Sequence, residues 1–140
     1  MEKLEETELL SCNKQTPKFD FTGSYLAKVV DCYDGDSIKA VFKFNGKYQL
    51  FTIRMYGYNT PELRPSLKME NRDQEIESAK KAKDALKDMI LNKIVHLKCH
   101  GCGKYGRILG EIKLSQDDQE SVNNKMISMG YGKEYFGGKK

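Results

Sequence analysis

From Ser24 onward apolar and polar residues alternate with the period of strands. Tyr25–Asp31 is the first candidate, closed by the turn Asp34-Gly35. Ile38, Ala40, Phe42 and Phe44 then alternate with Lys39, Val41 and Lys43, the pattern of a half-buried strand. Asn45-Gly46 follows, and a type I′ hairpin turn favours such a pair because both of its central residues need positive φ. Tyr48–Tyr56 returns as a third strand, which makes a meander.

Gly57–Leu67 reads as a loop punctuated by Pro61 and Pro65. Between Arg72 and Leu91 the period becomes helical, with Ile76, Ala79, Ala82 or Lys83, Leu86, Met89 and Ile90 on one stripe. Val95, Leu97 and Cys99 predict a fourth strand and Cys99–Gly106 a glycine-rich loop. Ile108, Gly110, Ile112 and Leu114 predict a fifth strand. Ser121 is placed to cap a short helix carrying Val122, Met126 and Met129 and ended by Gly130. Residues 1–19 form a polar leader in which Leu4, Leu9 and Leu10 could build a short helix before Thr16-Pro17 breaks it. The domain is expected over 20–136, with 137–140 as a flexible tail. The order βββ–α–ββ–α predicts an α+β, mainly β chain. Its form is a five-stranded OB-type Greek-key barrel, with one helix between strands three and four and a second at the C-terminal end.

Composition narrows the class. A chain of 140 residues, 39% hydrophobic and 31% charged, is one globular domain large enough to fold without disulfides or metal. No apolar run approaches the ~18 residues of a membrane span, and no signal peptide is visible. The expectation is therefore an intracellular, cytoplasmic monomer with no membrane partner. A net charge of +4 permits an anionic partner without requiring one. The positive charge is concentrated at Lys80, Lys81, Lys83, Lys87 and Lys93, then Lys98, Lys104 and Arg107, where charge alone reads as solvated helix and loop surface.

Four segments carry polar residues where strands end or loops begin. They are Asp34-Gly35-Asp36-Ser37, Arg54, Asn59-Thr60-Pro61-Glu62 and Lys104-Tyr105-Gly106-Arg107. Singly, each is an ordinary turn, cap or basic loop. In combination and order the chain resembles the staphylococcal nuclease-like family. That family's motifs read Asp-Gly-Asp-Thr, then Arg ahead of Gly-x-Asp-Thr-Pro-Glu, then Asp-Lys-Tyr-Gly-Arg, then Val-Asn; here the last is Val122-Asn123. The resemblance covers about residues 23–136.

The resemblance implies a Ca²⁺-activated nuclease acting on DNA or RNA, leaving 3′-phosphates and 5′-hydroxyls. Asp36 would ligate the metal, with Asn59 where the family has a second carboxylate, Thr60 offering its main-chain carbonyl and Asp34 beside the site. Mg²⁺ or Mn²⁺ could replace Ca²⁺. Glu62 would be the general base, Arg54 and Arg107 would clamp the scissile phosphate, and Lys104 and Tyr105 would contact a terminal phosphate. Tyr135 or Phe136 would line the base pocket.

These residue types suit phosphodiester hydrolysis on chemical grounds. Guanidinium forks match the phosphate oxygens, a hard cation polarises the phosphate, and a carboxylate takes the proton of water. The departures are Asn59 for Asp, which removes a charge from the metal site, Gly103 for Asp, Ser37 for Thr, and an end soon after Tyr135-Phe136. Cys12, Cys32, Cys99 and Cys102 are expected as free thiols. Cys99-His100-Gly101-Cys102 lacks two ligands for zinc, and His96 and His100 read as surface residues. Two rivals stand beside the enzyme reading: a catalytically weak or silent nucleic-acid-binding module of the same family, and a zinc-stabilised interaction domain.

Overall fold

The computed structural model describes residues 2–103 and 105–136. Its elements are α1 (Glu2–Leu10), β1 (Thr22–Asp34), β2 (Ser37–Phe44), β3 (Lys47–Met55), β4 (Tyr58–Asn59), α2 (Arg72–Ile90), β5 (Ile94–Cys102), β6 (Ile108–Lys113), α3 (Val122–Ser128) and β7 (Lys133–Glu134). Five strands close a barrel in the order β1-β2-β3-β6-β5, and β4 pairs with β7 in a separate ribbon. This is the OB-type barrel that the element order implies. The tail expected at 137–140 lies outside the described residues, and no helix among those described is long and apolar enough to cross a membrane.

Closure depends on β1, which is longer than the alternation suggests. Its first half pairs with β5, Thr22 opposite His100 through Lys28 opposite Ile94. Its second half pairs with β2, with register shifts between Val29 and Asp31 and again between Cys32 and Asp34. Such bulges increase local twist, which lets one strand serve two neighbours round a small barrel. Ile38, Ala40 and Phe42 are buried as their period predicts. The hairpin turn has Asn45 at φ 52 and Gly46 at φ 77, as a type I′ turn requires.

Three features differ from the sequence reading. The sheet is mixed: β3 runs parallel to β6, with Ile53 opposite Ile108 and Met55 opposite Gly110. β5 continues through Cys102, so much of the expected glycine-rich loop is strand. The expected loop after Gly57 contains β4, whose Tyr58 and Asn59 pair with Glu134 and Lys133.

Helix α2 buries Ala79, Ala82, Leu86 and Ile90, and Val122 and Met126 of α3 join the same core. Met129, expected within this helix, is its exposed C-cap residue. Ser121 does cap α3, its hydroxyl accepting from the Asn124 N–H at 3.0 Å. Helix α1 buries no residue.

Asn123 secures the parallel junction. Its amide donates to the carbonyls of Tyr56 and Gly110, each at 2.8 Å, and its oxygen accepts from the Ile112 N–H at 2.9 Å. A side chain 4% exposed thus joins α3 to the chain beyond β3 and to β6. Removing it takes a partner from the Tyr56 carbonyl and the Ile112 N–H, while the Gly110 carbonyl still accepts from the Tyr56 N–H at 2.8 Å. Asn123→Ala should cost about 3 kcal/mol by urea unfolding, at ~1–3 kcal/mol per orphaned group. A loss below about 0.5 kcal/mol would mean that water replaces the amide.

Candidate active site

The turn between β1 and β2 is held in place from three directions. A Cβ at Gly35 would stand 2.8 Å from the Thr60 methyl and 2.9 Å from Ala82 of α2, so only glycine lets the backbone approach this closely. The buried Tyr58 hydroxyl donates to the Gly35 carbonyl at 2.8 Å, and burial pushes that phenol well above its ordinary pKa. Asp34 caps the turn by accepting from the Asp36 N–H at 3.0 Å.

Two carboxylates therefore face the same space. Burial, then the hydrogen bond and charge of Asp36, push the Asp34 carboxyl up to about 6. Asp36 is better compensated: Oδ2 accepts from the Thr60 N–H at 3.1 Å and lies 3.3 Å from Arg54 Nη1.

Arg54 lies opposite Ser37 in the β2–β3 register. Its Nη1 donates to the carbonyls of Met55 at 3.1 Å, Tyr58 at 3.0 Å and Asp36 at 3.4 Å. Its Nη2 donates to Asn59 Oδ1. Arg107 reaches the same turn from the loop before β6 and donates to Ser37 Oγ at 3.1 Å. That hydroxyl in turn donates to Asp36 Oδ1 at 3.4 Å. One arginine holds Asp36 and the other the neighbouring serine. Glu62 is exposed, and its N–H is tied to Glu75 Oε2 in the first turn of α2 at 2.8 Å.

These residues line one cleft of ≈ 410 Å³, which takes in Asp34, Asp36, Arg54, Asn59, Thr60, Glu62, Tyr105, Arg107 and Tyr135. Phe136 instead lines an adjoining pocket of ≈ 230 Å³ with Tyr56, Tyr58 and Leu109, and Arg54, Tyr105, Arg107 and Tyr135 are common to both. Lys104 lies outside the described residues. The Tyr135 N–H donates to the Gly57 carbonyl at 2.9 Å, which extends the β4–β7 ribbon and brings both C-terminal aromatics to the site.

Sequence reasoning gave no role to Ser37, Tyr58 or His100. The first two could have been suspected from their places next to the turn and the Asn-Thr-Pro-Glu segment. His100 is not a free surface residue: it stacks on Tyr56 at 4.2 Å and 11°, and its Nε2 lies 2.9 Å from Glu111 Oε1. Tyr56 in turn meets Phe136 edge-on at 5.4 Å. No local signal announces this stack, because its rings come from three distant segments.

Among the described residues no three His, Cys, Asp or Glu side chains gather as a metal cluster. The facing carboxylates of Asp34 and Asp36 are nevertheless a place that a hard cation fits. They offer oxygen donors only, alongside the Thr60 main chain, and a bound cation would relieve the repulsion that raises Asp34. Asn59 Oδ1 already accepts from Arg54, which leaves it one lone pair for a cation. Cys99 and Cys102 fall on opposite faces of β5, one buried and one exposed. Burial pushes the Cys99 thiol up to about 11.

A family model described as staphylococcal nuclease homologue matches residues 52–140. The match takes in Arg54, Asn59, Thr60, Glu62 and Arg107, while Asp34 and Asp36 precede it. No curated protein matches the chain.

Because the folded state holds the Asp34 proton more tightly than the usual 3.8, stability should fall as pH rises between about 4 and about 6. In EDTA, Asp34→Asn should raise Tm at pH 7 and flatten that slope. A lower Tm at pH 7 would show that the carboxylate is stabilised by its surroundings.

Proposed function

Because this chain belongs to the family of staphylococcal nuclease homologues, we propose that its cleft hydrolyses phosphodiester bonds of DNA or RNA by activating water. The observation that carries this reading is that Arg54, Arg107, Glu62 and Asp36 line a single cleft. Two permanent cations and a solvent-reaching carboxylate are the groups that attack of water on a phosphodiester calls for.

Arg107, anchored to Ser37 through one Nη, has the rest of its fork for the phosphate oxygens, and Arg54 adds a second fixed charge. Both are already oriented, so the extra negative charge of a five-coordinate phosphorus meets donors that need no rearrangement. Glu62 is the general base, and its tie to Glu75 fixes the backbone that carries it. The family is typically Ca²⁺-dependent. Asp36 and Asp34, with the Thr60 carbonyl, would hold the ion, which when bound polarises the phosphate and lowers the pKa of water. Tyr105 and Lys104 would receive a flanking phosphate, and Tyr135 and Phe136 a base. The cleft's aromatic walls favour single-stranded or locally opened substrate.

One observation favours the second reading, a silent nucleic-acid-binding module. Arg54 is engaged by three carbonyls, Asn59 and Asp36, so part of its donor capacity goes to the fold rather than to a phosphate. Activity decides between the two. Wild type should cleave single-stranded DNA or RNA with Ca²⁺, Mg²⁺ or Mn²⁺ and not in EDTA. Glu62→Gln and Arg107→Ala should each lower kcat by about 10²–10³. Wild type silent in every metal would leave the binding module.

Asn59→Asp adds a carboxylate beside Asp36 and should tighten Ca²⁺ binding, read by calorimetry as a lower Kd. An unchanged or higher Kd would place residue 59 with Arg54 alone.

A further inference from the structure

The lysines of α2 are not accounted for by the catalytic cleft. Two of the four stand apart from the others: Lys80 and Lys81 are exposed, whereas Lys83 and Lys87 are half-buried. Lys83 lines a second cleft of ≈ 580 Å³, together with Tyr33, Asp31 and Arg64. This cleft shares Asp34 and Glu62 with the catalytic one, so the two are continuous across the general base. Lys83 and Lys87 both lie close enough to act on the Cys32 thiol in the wall of this second cleft. Tyr33 is 62% exposed and makes no ring contact with another described aromatic.

A phosphate in the interior of a strand carries nucleotides on both sides. The aromatic pocket beside Arg54 and Arg107 takes the chain in one direction, so the other direction needs its own path past Glu62. Two outlets exist. One, of ≈ 570 Å³, runs by Met69, Tyr131 and Lys133. Apart from what it shares with the catalytic cleft, its charges are Glu75 and Glu134 against Lys133, which repels phosphate. The Tyr33 outlet, judged the same way, sets Arg64 and Lys83 against Asp31, an excess of one cation on the part farthest from Asp34 and Glu62.

We propose that this second cleft is an exit subsite for the stretch of polynucleotide beyond the nucleotide adjoining the scissile phosphate. A base stacks on the open face of Tyr33, and Arg64 and Lys83 hold the next phosphate. Asp31, which also lines the cleft, disfavours a phosphate at its own position. The subsite rests on the nuclease reading and makes the enzyme one that engages strand on both sides of the bond it cuts. It also gives a role to Lys83, one of the two half-buried lysines of α2.

The test compares wild type, Tyr33→Ala and the double variant Arg64→Gln/Lys83→Gln on a long single-stranded oligonucleotide and on a dinucleotide, which cannot reach the subsite. Each variant should raise KM for the oligonucleotide by about tenfold relative to the dinucleotide, within the range of one base stack. In a separate binding arm, wild type and double variant are titrated in EDTA with a fluorescent oligonucleotide at several salt concentrations. The slope of log K against log salt should shrink by about 0.7 in the double variant, at ~0.7 per phosphate contact on a single strand. Equal losses on both substrates, or an unchanged KM ratio and salt slope, would overturn the subsite. Wild type that cleaves neither substrate would sink the nuclease reading instead, and the salt slope would still decide whether Arg64 and Lys83 meet a strand.

Discussion

The site depends on the way one guanidinium is satisfied. Arg54 is only 15% exposed at its side chain, and a charge withdrawn that far from water is costly unless it is paired and hydrogen-bonded. Its partners are the carbonyls of Asp36, Met55 and Tyr58, with Asn59 Oδ1 and the Asp36 carboxylate. Those acceptors come from the turn before β2, the end of β3, and β4. Three segments that border the cleft thus have a main-chain oxygen on the same cation, and the loop carrying Arg107 is tied in separately through Ser37. The Asp36 carboxylate closes the arrangement by accepting from Thr60 N–H, which leads directly to Pro61 and Glu62. The barrel and the cleft are therefore not separate layers: the same bonds that fix the β3–β4 corner also fix the distance between cation and carboxylates.

What could be read in the chain follows from what periodicity records. Alternation reports which face of a strand is buried, so Ile38, Ala40 and Phe42, and likewise Val95, Leu97 and Cys99, could be assigned in advance. Asn45-Gly46 and Ser121 were legible because a single residue type satisfies each local requirement. Partner direction leaves no such mark, and the parallel β3–β6 pairing was invisible for that reason. Two-residue strands have no period at all, which hid β4 and β7. At the site, the motif order pointed to residues that do line one cleft. It could not say where Asn59 directs its oxygen, nor that Ser37 holds Arg107, because those depend on side chains meeting across the barrel. The His100–Tyr56–Phe136 stack was lost for the same reason.

The modest net charge follows from the construction of the site. Cation and anion meet in direct contact there, Arg54 against Asp36. Such pairing cancels in the total while leaving strong local fields in a partly desolvated cleft, where charges interact far more than in bulk water. The overall excess of +4 thus says little about phosphate recognition. Position matters more than count, and the half-buried placement of Lys83 beside Arg64, against the exposure of Lys80 and Lys81, is the clearest case.

Asn59 shows how the same economy sets metal affinity. A carboxylate at that position would be a third acid beside Asp34 and Asp36, and Asp34 already holds its proton to about 6 because of burial and its neighbour. The neutral amide spares the metal-free protein that further repulsion and satisfies Arg54 without adding charge. The same saving removes part of the driving force for a cation, since a cation binds more tightly the more anionic repulsion it relieves. Stability without metal and affinity for metal are linked through one set of carboxylates, so the amide favours the first at the expense of the second. With one carboxylate fewer at residue 59, the anionic part of the proposed metal site would rest on Asp36 and Asp34. The turn that holds those two together, with Gly35 packed between Thr60 and Ala82, would then set the position of a bound cation as well as that of the arginines.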